Sequence, residues 1–361
     1  MDKVILGQGC YVEDDPGHTR PNDNQVLVGA TGSGKSLSSL TPTLLHLADS
    51  SLLGSYSKAG EARKQGIYLA SRGYDVKICD LARPEGSDVG FDVLRYVGSY
   101  DDLKGLASQI IQSAVGKTRD EYWNVKAEAL LGGFMASVMM TKREEASMAD
   151  VLELIDQCDV IEGRDSFTTP IDRYFDQFKK QAPKSYASRE FSKWRSLPYR
   201  TAACVLDTLS AALSATFPES TRKLMRREEQ LDFRWLAREK AALLLITSPV
   251  NTSLHFFANL MCHQAVQELL EFSEECPGQR LPRPVKLAFD DFACSAPIKD
   301  FPQQISIFRS AGISAILCIQ SESQLRSLYG EDGATTILNN CSAYAYFPGG
   351  MDLTTCQNIS A

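Results

Sequence analysis

Gly29-Ala30-Thr31-Gly32-Ser33-Gly34-Lys35-Ser36 has the spacing G-x-x-x-x-G-K-[ST], which suits polyphosphate binding. Glycines let successive backbone N–H groups turn towards an anion, and a helix starting at Leu37 adds its positive N-terminal end. Lys35 can then reach the β- and γ-phosphates, and the Ser36 hydroxyl can ligate Mg²⁺. The expected ligand is ATP with Mg²⁺, held by residues 29–37.

A P-loop needs an acidic partner at the tip of a neighbouring buried strand. Val285–Phe289, ending in Asp290-Asp291, supplies one. Asp290 is the expected Mg²⁺ ligand, directly or through water. Asp291 stands where many P-loop ATPases place a glutamate that polarises the attacking water. Its side chain is one methylene shorter, so its carboxylate falls back by about 1.5 Å. A misplacement of about an ångström can cost on the order of 100-fold in rate. Ile313–Ile319 ends in Gln320, a position suited to sensing the γ-phosphate, although an ordinary strand-end glutamine has the same sequence signature. Arg309, on the preceding helix, could serve a neighbouring subunit of a ring as an arginine finger or make a surface salt bridge.

These residues need a scaffold, and the hydrophobic pattern provides one. Short apolar runs at Gln25–Val28, Leu52–Ser57 and Asp75–Leu81 alternate with helical periodicity at Leu37–Ala48 and Ala59–Ser71, the rhythm of a parallel sheet covered by helices. From Asp101 to about Glu229 the periodicity is mostly helical, as in Leu103–Val115, Tyr122–Met140, Met148–Ile155, Ile171–Phe178 and Thr201–Ala215. The α/β rhythm resumes with strands at Ala241–Thr247, Val285–Phe289, Ile313–Ile319 and Ala343–Phe347, and helices at Leu254–Phe272, Phe301–Ser310 and Glu322–Leu328. The expectation is an α/β nucleotide-binding domain over 1–100 and 230–361, split by an inserted all-α domain over 101–229.

Composition narrows the class. Of 361 residues, 43% are apolar and 23% charged, the balance of a globular protein. No apolar run approaches the roughly 20 residues of a membrane span, so the chain is expected to be soluble. The ten cysteines are scattered, without a C-x-x-C pair, and fit a reducing compartment better than a metal centre. The net charge of −7 argues against general nucleic-acid coating. Yet Arg173, Lys179, Lys180, Lys184, Arg189, Lys193, Arg195, Arg200, Arg222, Lys223, Arg226 and Arg227 crowd into one stretch. That stretch reads equally as a phosphate-backbone surface or as solvated helix faces.

Taken together, the chain resembles the TraG/TraD-like (VirD-type) coupling ATPases of type IV secretion and bacterial conjugation. Asn22-Asp23-Asn24 leads into the P-loop strand as the family's N-x-N approach does. Ser51–Glu61, SLLGSYSKAGE, is similar to a family strand ending in D-P-K-G-E, keeping Lys58, Gly60 and Glu61 while Ser55, Ser57 and Ala59 depart from it. Gly73-Tyr74-Asp75-Val76 and Glu121-Tyr122-Trp123 also match. The densest resemblance runs from Asp290-Asp291-Phe292-Ala293 through Arg309-Ser310-Ala311-Gly312 and Gln320-Ser321 to Asn339-Asn340-Cys341.

The resemblance implies a RecA-like fold and a hexameric motor at the cytoplasmic face of the inner membrane. Such a motor takes DNA with its relaxase, or secreted protein cargo, to the channel components of the secretion system. It also implies that Arg309 is an arginine finger or sensor. Relatives usually carry a membrane anchor and a further C-terminal helix, and neither is expected here. Asp291 and the altered D-P-K-G-E segment make slow hydrolysis, or a nucleotide-binding cargo receptor, the alternative. An FtsK/HerA-like DNA translocase is a third reading, disfavoured by the large helical insertion.

Overall fold

The computed structural model describes residues 2–7, 9–14, 22–115, 121–163, 166–248, 253–292, 297–349 and 352–360. Ala293 and Cys294 lie outside them. The chain divides into two compact units, Met1–Val89 with Leu231–Ala361, and Gly90–Gln230.

In the first unit, β1 (Asp2–Gly7) and β2 (Cys10–Asp14) form an antiparallel hairpin, which the polar N-terminal sequence does not announce. They are followed by β3 (Gln25–Gly29), β4 (Ser51–Tyr56) and β5 (Asp75–Asp80). Among its described residues, the second unit holds only the two-residue strands β6 (Ile161–Glu162) and β7 (Phe167–Thr168). Back in the first unit come β8 (Ala241–Ile246), β9 (Val285–Asp290), β10 (Ile313–Ile319) and β11 (Ala343–Phe347).

Seven of these strands make one sheet in the order β11-β3-β10-β9-β4-β8-β5, with every pairing parallel. Every residue of β3 and β8 is buried, which is why they read as continuous apolar runs rather than as alternation. The P-loop strand does not neighbour the Asp290 strand, contrary to the expectation from sequence: β10 lies between them. Periodicity specifies strands but not their lateral order.

One face of the sheet carries the helices that shape the site. Leu40, Leu44 and Leu47 after the P-loop, and Ala62 and Leu69 of the helix Ala59–Ser71, pack with Leu27, Leu52, Leu244, Ile246 and Ile316 in one buried cluster. Burying each leucine contributes roughly 1.5–3 kcal/mol. The expected helix Leu37–Ala48 is instead a π-helical turn, Ser36–Leu40, running into an α-helix at Thr41–Leu45. Pro42 has no N–H to donate, and the Thr41 N–H reaches five residues back to the Ser36 carbonyl. The hairpin braces this segment: Ser39 Oγ donates to the Ile5 carbonyl at 2.6 Å and the Ile5 N–H donates to Thr43 Oγ1 at 2.9 Å.

Other differences from the sequence reading are local. Phe301–Ser310 is three short pieces rather than one helix, with Phe301, Ile305, Phe308 and Ala311 still buried. The helix from Glu322 runs on to Asn339 across a break at Gly330, whose φ is 75°.

The second unit is built around the helix Glu121–Lys142, buried along most of its length from Asn124 to Val138. It packs against Tyr100–Val115, Tyr186–Arg195 and Tyr199–Thr216. Phe175 stacks on Phe191 at 3.7 Å, and Phe134 meets Phe175 edge-on. Tyr186–Arg195 is a helix missed in the sequence because YASREFSKWR is largely polar; the Ser185 side chain accepts from the Ser188 N–H and starts it. Several of the clustered bases are paired. Arg195 meets Asp172 at 2.8 Å, Arg222 meets Asp156 at 2.5 Å, and Arg226 meets Asp150 at 2.8 Å. Asp150 and Asp156 lie outside the basic stretch, so sequence proximity overstated its charge. Among the described residues, no helix is long and apolar enough to cross a membrane.

Asp2 shows how β1 is fixed. Its carboxylate accepts from the N–H groups of Ala48, Asp49 and Ser50 at 2.5, 2.8 and 3.0 Å. Burial alone pushes this carboxyl up, but those hydrogen bonds and the charge of Lys286 together bring it below the usual range. A lowered folded value means that the stabilisation is full above the unfolded value and fades as the pH drops through the folded one. Asp2→Asn is therefore expected to cost about 1–3 kcal/mol at pH 7, with the difference narrowing below about pH 4. Urea denaturation of both proteins across that range checks it.

Candidate nucleotide-binding site

The P-loop leaves the C-terminal end of β3 at Gly29. Gly32 and Gly34 have φ of 81° and 94°, a region that side chains with a Cβ avoid. The turn is closed by the Ser33 N–H donating to the Ala30 carbonyl at 3.1 Å and the Ser38 N–H donating to Gly34 at 2.8 Å. Lys35 is buried, and its Nζ donates to the carbonyls of Gly29 and of Ala30, the latter at 3.2 Å. Ser33 Oγ is buried without a hydrogen-bond partner among the described residues, and Leu37 is exposed.

Ser36 Oγ donates to Asp290 Oδ1 at 2.8 Å, bringing the last P-loop residue to the tip of β9. Two hard oxygen donors at this separation, on a helix start and a strand end, match the protein's share of a Mg²⁺–phosphate site. Burial is the main cause that raises the Asp290 carboxyl. Asp291 and Glu61 add repulsion, while the Ser36 hydrogen bond and Lys58 pull the other way, and the net shift is upward. A divalent cation relieves this kind of strain.

Asp291 is exposed, with a φ of 85°, unusual for a residue with a Cβ. Gln320 is exposed at the tip of β10, the strand between β3 and β9, so it sits between the P-loop and Asp290 along the sheet edge. Arg309 is also exposed, on the short helix Phe308–Ala311 leading into β10. It lies at the opposite end of β10 from Gln320, roughly 20 Å away for seven extended residues. Arg309 is thus not brought to the P-loop of its own chain.

Several residues of the site went unnoticed in the sequence. A cavity of about 240 Å³ is lined by Ser36, Tyr56, Glu61, Lys64, Gln65 and Asp290, among others. Tyr56 is buried at the end of β4, and its hydroxyl donates to Gln65 Oε1 at 2.7 Å. Burial, with the charges of Asp290 and Glu61, pushes its phenol well up. Lys58 and Glu61 form an exposed ion pair at 3.2 Å. No periodicity marks these residues; Lys58 and Glu61 stood out only through the family-like SLLGSYSKAGE stretch.

The Asn22-Asp23-Asn24 approach also acquires a physical role. Asn24 Nδ2 donates to the Asn340 carbonyl at 2.9 Å, and its Oδ1 accepts from the Ala315 N–H at 2.9 Å. This one side chain ties the start of β3 to β10 and to the turn before β11.

The family model for type IV secretory system conjugative DNA transfer matches residues 4–361. Among solved structures, the bacterial conjugative coupling protein TrwBdeltaN70 in an unbound form aligns with a TM-score of 0.64 at 18% identity, over 93% of this chain and 72% of that one. The plasmid coupling protein TrwB in complex with ADP and Mg²⁺ aligns at 0.60 and 16%, over 89% and 69%. VirB4 of Thermoanaerobacter pseudethanolicus aligns at 0.54 and 13%, over 99% and 87%. At these identities the likeness is one of fold: a RecA-like P-loop architecture on a parallel sheet. No curated protein sequence matches the chain.

Gly29 is sterically fixed. A Cβ there would lie 2.7 Å from the Phe347 carbonyl of β11 and 2.7 Å from Ser33 Oγ. Gly29→Ala is expected to lower stability by about 1–3 kcal/mol and to weaken binding of a fluorescent ATP analogue. Thermal melting and a binding titration read the two effects separately.

Proposed function

The chain belongs to the type IV secretory system conjugative DNA transfer family, and on that basis we propose that it is an ATP-hydrolysing coupling motor. The observation that carries the reading is the Ser36–Asp290 contact at 2.8 Å at the mouth of a P-loop whose glycines hold the left-handed turns it needs. In this reading the backbone N–H groups of residues 29–37 cradle the phosphates of ATP, and Lys35 moves its ammonium from the loop carbonyls to the β- and γ-oxygens. Ser36 and Asp290 hold Mg²⁺, which neutralises charge on those oxygens when bound. Gln320 orients the γ-phosphate end, and Asp291 helps to position water.

In this reading the compact unit Met1–Val89 with Leu231–Ala361 is the RecA-like part, and the unit Gly90–Gln230, expected from sequence as 101–229, receives cargo. That cargo is DNA with its relaxase, or a secreted protein, passed to the channel of the secretion system at the cytoplasmic face of the membrane. Arg309 stands away from its own P-loop edge, on the short helix Phe308–Ala311, which supports a hexameric ring in which it serves the site of the adjacent subunit.

A nucleotide-binding cargo receptor is favoured by one observation, the exposed Asp291 with its positive φ. Steady-state turnover separates the two readings. The motor predicts ATP hydrolysis stimulated by single- or double-stranded DNA and reduced at least about 100-fold by Lys35→Ala. Tight ATP binding without turnover, and recovery of turnover by Asp291→Glu, favour the receptor instead. Hydrolysis indifferent to both DNA and relaxase removes the DNA-motor reading.

A further inference from the structure

Asp291 leaves the water-polarising task poorly served, because its side chain is short and its backbone is turned into the left-handed region. The structure brings another carboxylate to the cavity that Ser36 and Asp290 line. β4 lies directly beside β9, with Ser55 opposite Phe289, so the tip of β4 emerges next to Asp290. Its continuation enters the helix Ala59–Ser71, whose first turn carries Glu61. Glu61, Ser36 and Asp290 line one cavity of about 240 Å³, room enough for several waters. Lys58 holds the Glu61 carboxylate at 3.2 Å.

We propose that Glu61 is the general base of ATP hydrolysis in this protein, taking the part that a glutamate at position 291 would otherwise play. The inference rests on the hydrolytic reading above. Glu61 accepts a proton from a water in the shared cavity, and the oxygen of that water bonds to the γ-phosphorus. The bond from that phosphorus to the bridging oxygen breaks, with its electron pair leaving on the β-phosphate. ADP and inorganic phosphate result, and Glu61 releases its proton to solvent. An exposed i,i+3 pair such as Lys58–Glu61 contributes little to stability. Substitution at Glu61 therefore tests chemistry rather than folding.

The experiment compares kcat, KM and affinity for a fluorescent ATP analogue in the full chain and in Glu61→Gln, Glu61→Asp and Asp291→Asn, with thermal melts as a folding control. Glu61→Gln is expected to lower kcat about 100-fold or more, with KM and analogue affinity within about threefold. Glu61→Asp should recover part of the loss, and Asp291→Asn should lose less than Glu61→Gln. A Glu61→Gln protein that keeps kcat within about threefold, or that loses affinity in proportion to rate, overturns the assignment and leaves the hydrolytic reading standing. An unsubstituted chain that binds the analogue but turns over no ATP overturns both.

Discussion

The Ser36 hydroxyl and the Asp290 carboxylate meet at 2.8 Å although 254 positions separate them in sequence, and the rest of the site depends on that meeting. One group ends the P-loop and the other ends β9, with β10 running between their strands. The distance is therefore set by the parallel register: Cys318 of β10 lies opposite Asp290, and Ile319 lies opposite Val28. A slip in either pairing would carry the acid away from the loop and turn neighbouring side chains to the other face of the sheet.

That register is held by unspecific and specific forces together. The leucines of the P-loop helix and the apolar face of the helix Ala59–Ser71 bury themselves on the same side of the sheet. Burial of this kind fixes the layers without choosing the alignment along them. Directional contacts do the choosing. Asn24 bridges β3, β10 and the turn before β11, Asp2 gathers three consecutive N–H groups, and the first hairpin hydrogen-bonds to the segment after the P-loop.

The electrostatics of the site follow from the same geometry. Asp290 is half-buried within electrostatic reach of Asp291 and Glu61, and burial first, then their charges, raises its carboxyl. Such an arrangement of like charges has little structural use, since their repulsion opposes the fold. It is intelligible as a site that binds positive charge and, through Glu61, manages a proton.

From sequence alone, the P-loop, the acidic pair after an apolar run, and the alternation of strands and helices were enough to give an α/β nucleotide-binding fold interrupted by helices, which the family resemblance narrowed to RecA-like. These signals are local: glycine spacing, periodicity, and the run of apolar residues that a doubly covered sheet requires. The tertiary structure alone decided the order of the strands, and with it that Gln320 lies between Lys35 and Asp290 while Arg309 lies at the far end of the same strand. It also decided that Tyr56, Glu61 and Gln65 border the site, and that Arg222 and Arg226 are balanced by acids outside their own stretch. Lateral order and side-chain proximity arise from packing between distant segments, and no local pattern encodes them.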